Sequence, residues 1–110
     1  MITEAEIEKA LDYLRDNADE CAKWKAERVY VTEYRKTVKA ELMNDAAETA
    51  RTAVEREQYA YSSMRYKEHL EAIKEAVYRD EKHRFLMLAA QAKIDAWRTE
   101  QSNQRAMGKI

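Results

Sequence analysis

Apolar positions recur at helical spacing along most of the chain, and the longest such stretch runs from Tyr66 to Trp97. Tyr66, Ile73, Ala76, Met87, Ala90, Ile94 and Trp97 are separated by three, four or sums of these. That spacing places them on one face of a continuous helix. A helix over roughly 35 residues would extend about 50 Å at 1.5 Å per residue. So long an element predicts a spine for shorter helices or for a second subunit. Its weak point is Asp80–Arg84, where the inward positions are Asp80 and His83, a polar register layer or a kink.

The rest of the chain supplies shorter seams. Thr3 and Glu6 have capping-box spacing, and Ile7, Leu11, Leu14, Ala18 and Cys21 follow at intervals of four and three. Asn17–Glu20 is a place for a bend, although Cys21 continues the seam. Residues 21–39 carry several β-branched side chains, which lower helix propensity. A lone strand would have no partner, so a helix with Val31, Tyr34, Val38 and Leu42 inward is expected. Asn44-Asp45 is the clearest punctuation. Asp45 and Glu48 have N-cap spacing, predicting an alanine-rich helix through Ala46, Ala47, Ala50, Ala53 and Val54. Ser62-Ser63 either caps a new helix from Met64 or lies within one running from 45 to about 100. Beyond Trp97 the text turns polar, predicting a frayed end and a flexible tail over 104–110.

Composition narrows the class. The chain has 110 residues, no proline, a single glycine and 37% charged side chains, and its mean hydropathy is −0.84. These are the proportions of a helical bundle or coiled coil, and they exclude a turn-rich β fold. Mixed signs, a net charge of −1 and ten aromatics argue against disorder. No apolar run is long enough to cross a membrane, and the acidic N-terminus does not have the layout of a signal peptide. The lone Cys21 lies on an apolar stripe, where an inert thiol in a reducing cytoplasm is expected.

Charge is unevenly placed. Residues 1–20 hold seven acids and two bases, whereas residues 21–39 hold six bases and two acids. On a helix, Lys25, Arg28, Arg35, Lys36 and Lys39 share one side with Trp24 nearby. Such a face can neutralise phosphates while an aromatic stacks on an unpaired base. The simpler expectation is that these bases pair with the acidic segment packed beside them. The acidic run itself, with Asp12, Asp16 and Asp19, offers a weaker reading as a mimic of a phosphate backbone.

Candidate chemistry is sparse. His69 and His83 lie about 21 Å apart along a helix, too far for one metal ion. Asp80-x-x-His83 imitates half of a pair used in di-iron bundles, but the facing glutamates are missing. No phosphate loop, nucleophile elbow or plausible Cys–His pair is present. No enzyme activity, metal or cofactor is therefore expected. Trp97, Arg98 and Arg105 in WRTEQSNQRAMGKI form a candidate recognition segment for a partner.

From about Tyr59 onward, Tyr66-Lys67-x-His69-Leu70, Ala76-Val77, Ile94-x-x-Trp97-Arg98-Thr99 and Asn103-x-Arg105 resemble a group of small helical proteins of tailed bacteriophages. The resemblance covers roughly half the chain. His83 stands where that group would have leucine. It implies a non-enzymatic product of an early phage region for DNA replication or recombination, acting in the host cytoplasm.

Together these readings predict an all-α, elongated, antiparallel bundle of coiled-coil character. One long C-terminal helix would carry two or three shorter ones, as a single domain over 1–103. Its long, narrow seams predict a homodimer or assembly on a phage or host protein. Direct single-stranded nucleic-acid binding through the basic, aromatic segment 23–39, or inhibition of a host defence system, are the alternatives.

Overall fold

The computed structural model describes residues 1–108. Among them the fold is all-α: α1 (Glu4–Asp45), α2 (Ala53–Ser62) and α3 (Met64–Gly108), with no strand. The chain divides into two compact units, each described by itself. The terminal unit joins Met1–Ala22 to the chain from Glu81 onward, and the central unit is Lys23–Asp80.

α1 starts at the expected cap. Thr3 Oγ1 accepts from the Glu6 amide at 3.2 Å, and Glu6 Oε2 accepts from the Thr3 amide at 3.3 Å. Two orphan donors of the first turn are thereby satisfied. The helix then continues unbroken through 17–20 and through the β-branched segment. Asn17 does not end it, and its Nδ2 donates to the Tyr13 carbonyl one turn back at 3.0 Å.

The inward phase of α1 corrects the sequence reading. Ile7, Ala10 and Leu14 turn toward α3, whereas Leu11 and Ala18 are exposed. Positions 7, 14 and 21 suit either phase, so the choice falls on Ala10 against Leu11. The small Ala10 lets the two backbones approach around Ile94. Ile7, Ala10 and Ile94 are the buried cluster of the terminal unit, with Ile2, Leu14, Ala90 and Trp97 packed on it. The helices run antiparallel here, and the Ile2 amide donates to Glu100 Oε2 at 3.2 Å.

The next helix starts later than expected. Residues 46–49 form turns and 50–52 are irregular, with Ala46 and Ala50 buried. The cap of α2 is Thr52, whose Oγ1 accepts from the Glu55 amide at 3.1 Å, while Glu55 Oε2 accepts from the Arg51 amide at 3.0 Å. Arg56 Nε donates to the Ala50 carbonyl at 3.0 Å. A second Thr-x-x-Glu pattern thus outcompetes Asp45-x-x-Glu48. At Ser63 the backbone is extended (φ −70°, ψ 142°), so α2 ends and α3 begins without an intervening loop. Ser63 Oγ donates to the Tyr59 carbonyl at 2.6 Å.

In the central unit α1 and α3 are also antiparallel, and α2 adds a third helix. Val38 and Leu42 of α1, Ala60 of α2 and Tyr66 of α3 form its core, flanked by Tyr34 and Met43. α3 is continuous through Asp80–Arg84 and past Trp97 to Gly108. The frayed end and the flexible tail expected from 104 are therefore helical up to Gly108, while the last two positions of that tail lie outside the described residues. Gln101, Gln104, Arg105, Ala106 and Met107 are good helix formers, and Gly108 is the first breaker.

Candidate functional site

α1 does bring Lys25, Arg28, Arg35, Lys36 and Lys39 to one side, at helical spacing. Most of that charge is compensated inside the central unit. Arg28 Nη1 lies 3.1 Å from Asp80 Oδ2 on α3, and Lys39 Nζ lies 3.2 Å from Glu57 Oε1 on α2. Lys36 pairs with Glu33 one turn back at 3.2 Å. Arg28 and Lys39 thus find carboxylates on α3 and α2. The sequence reading expected partners in residues 1–20 instead; those residues belong to the same helix, α1. Lys25 and Arg35 are exposed and have no ion-pair partner among the described residues.

Trp24 is half-buried, and the Arg79 guanidinium lies 4.8 Å from its ring centroid. That cation occupies a face that a nucleobase would need. Lys39 Nζ lies 4.9 Å from the Tyr61 ring centroid. Its hydrogen bond with Tyr61, and then the one with Glu57, hold the ammonium above the usual lysine pKa. The Arg65 guanidinium is likewise raised by its hydrogen bond to Glu41.

The two histidines serve different units. His69 Nε2–H donates to the Val31 carbonyl at 2.6 Å, and a carbonyl can only accept, so Nε2 carries a proton. Its ring leans on Tyr34, which stacks on Tyr30 at 5.7 Å. His83 keeps Nδ1 buried without a hydrogen-bond partner. Asp80 is engaged by Arg28 rather than poised as a ligand. Among the described residues no three His, Cys, Asp or Glu side chains gather as a metal ion would require. Cys21 is half-buried.

Of the second candidate set, Trp97 is half-buried against Ile7, Ala10 and Ile94. Arg98 faces Asp95 Oδ1 at 3.8 Å with both side chains well exposed. Arg105 is exposed in the last turn of α3, where a cation complements the helix dipole.

A further surface lies outside those sets. The terminal unit is built from α1 and α3 alone among the described residues, and it leaves big apolar side chains outside. Leu11 is 51% exposed, Phe85 60%, Leu86 43% and Leu88 52%. Two hollows flank the buried stripe of α1. One, of about 440 Å³, has Ala10, Ala89 and Ala90 as floor, Tyr13 and Leu86 as walls, and Glu6, Lys9 and Lys93 on its rim. The other, of about 310 Å³, is formed by Ile7, Leu11 and Trp97 with Glu4 and Glu8 at its edge. The signal was present in the run Phe85-Leu86-Met87-Leu88. A seam takes only one or two of four successive residues, so the others must point away.

No protein-family model, curated protein or solved structure matches the chain. No described helix is long and apolar enough to cross a membrane.

Proposed function

We propose that the chain is a non-enzymatic binding protein that acts through protein–protein contact, with the outer face of α3 around Phe85 and Leu88 as its docking surface. The observation that supports this is the exposure of those two side chains on a two-helix layer. Full burial of a leucine or phenylalanine contributes about 1.5–3 kcal/mol, so covering both is a substantial driving force. Exposed apolar side chains grouped in this way are a mark of interaction surfaces.

The setting proposed is a phage accessory role in DNA replication or recombination in the host cytoplasm, and its support is the resemblance of the C-terminal half alone. Direct single-stranded nucleic-acid binding rests on Lys25 and Arg35, since Arg28, Lys36 and Lys39 already face carboxylates. Phosphate mimicry by the acidic run is weakened where Asp12 and Asp16 both pair with Arg15.

Capture from infected cells tests the reading. The unaltered chain should retain a replication or recombination protein, and a Phe85→Asp/Leu88→Asp variant should not. Recovery of the same proteins by both would remove this surface from the function.

A further inference from the structure

The two hollows of the terminal unit differ in a way that makes them complementary. Lys9 and Lys93 on the rim of the larger one have no ion-pair partner among the described residues. Glu6 beside them is already committed to the Thr3 amide. On the opposite flank Glu4 and Glu8 are equally without a cation, and Leu11 stands one turn from Glu8, half exposed. Glu4, Glu8 and Leu11 are spaced four and three apart, so they form one stripe. The larger hollow has the floor such a stripe needs, three alanines between Tyr13 and Leu86. One flank thus has the half-exposed Leu11 side chain edged with two carboxylates, and the other is a small-residue hollow whose rim carries two ammonium groups and one carboxylate, Glu6.

We propose that copies of this chain associate face to back through the terminal unit, with the Glu4–Glu8–Leu11 stripe of one copy seated in the Lys9–Lys93 hollow of the next. The charges decide the mode. A two-fold contact through the hollow would bring together four lysines with only the two Glu6 carboxylates to offset them, and one through the stripe would set glutamates against glutamates. Like-charge juxtaposition disfavours a pairing. The unlike flanks match best, so the contact is heterologous, and it extends by repetition or closes as a ring. Leu11 supplies the buried anchor, and the charged rim sets register and partner choice. This goes beyond the partner-binding reading and uses neither Phe85 nor Leu88.

Sedimentation velocity on the full chain tests it. The unaltered protein should gain mass with concentration beyond two copies of 13.0 kDa. The gain should weaken in about 1 M salt, where the Debye length is about 3 Å. Leu11→Asp removes the anchor and Leu86→Asp spoils the hollow, and each alone should weaken association at least about tenfold. Mixed in equal amounts they retain one sound junction, the stripe of the Leu86→Asp copy in the hollow of the Leu11→Asp copy. The mixture should therefore form a 1:1 complex that does not grow. Glu8→Lys and Lys93→Glu provide a second pair that alters only exposed positions. Each should fail to associate alone, and association should return on mixing. A protein that stays monomeric throughout, variants that associate like the unaltered chain, or mixtures that remain monomeric would each overturn the proposal. Retention of the cellular partner by the Leu11→Asp variant keeps this outcome separate from the partner-binding reading.

Discussion

Arg28 Nη1 on α1 meets Asp80 Oδ2 on α3 at 3.1 Å, and the Asp80 side chain is only 16% exposed. The bond fixes the register of the two helices at that level of the central unit. A carboxylate held this far from water depends on its partner more than a surface one does. Asp80→Asn should lower stability by about 1.5–3 kcal/mol, the range for hydrogen bonds to charged groups. Arg28→Met should cost a similar amount, and the double variant less than the sum of the two. Urea denaturation of the four proteins as a double-mutant cycle measures the coupling. Strict additivity would reduce the pair to an uncoupled contact.

Two capping patterns compete in the connection between α1 and α2, and the hydrogen bonds favour Thr52. Thr52→Ala should destabilise the central unit by about 1 kcal/mol, as loss of an N-cap does. Asp45→Ala should change stability by less than about 0.5 kcal/mol, as substitutions away from caps and cores do. Thermal unfolding of both variants separates the two outcomes.

Much of the fold could be read from spacing. The α3 seam is as expected because Tyr66, Ala76 and Ile94 are buried in the order their intervals predict. Val31, Val38 and Leu42 likewise turn inward on α1. What spacing could not resolve was the phase of α1 in the terminal unit, since two heptad templates share positions 7, 14 and 21. Hydrophobicity favoured Leu11, but close approach of the backbones favoured Ala10. The candidate site was less legible for a different reason. The basic face is local and could be read directly, whereas its neutralisation by Asp80 and Glu57 comes from residues 52 and 18 positions away. Pairings at that distance follow from helix packing and not from composition.

The phase of α1 makes its own prediction. Ala10 is 7% exposed beside Ile94, so Ala10→Leu should overpack the terminal unit and cost about 1–3 kcal/mol. Leu11→Ala removes a half-exposed side chain and should cost less than the 2–5 kcal/mol typical of a buried leucine, about 1 kcal/mol or below. Guanidinium denaturation at a protein concentration low enough to suppress association gives both values. The reverse order would restore Leu11 to the seam and Ala10 to the flank.

Lys39 links stability of the central unit to alkaline pH. Its hydrogen bonds with Tyr61 and Glu57 raise its pKa above the usual lysine value of 10.5. The folded chain therefore holds this proton more tightly than the unfolded chain does. A raised pKa stabilises fully at pH values below the unfolded one, and the contribution disappears as pH climbs through the folded one. Lys39→Met keeps most of the apolar stem and removes the ammonium. The melting temperature of the variant should fall below that of the unaltered chain by a constant margin from about pH 6 to 9, and the margin should close as pH climbs above 10.5, the ordinary lysine value. Tyr61→Phe retains the ring beneath the ammonium but not the hydroxyl, so part of the pH-dependent margin should persist in that background. A margin that stays constant past pH 11 would mean that Lys39 acts through its stem and not its charge.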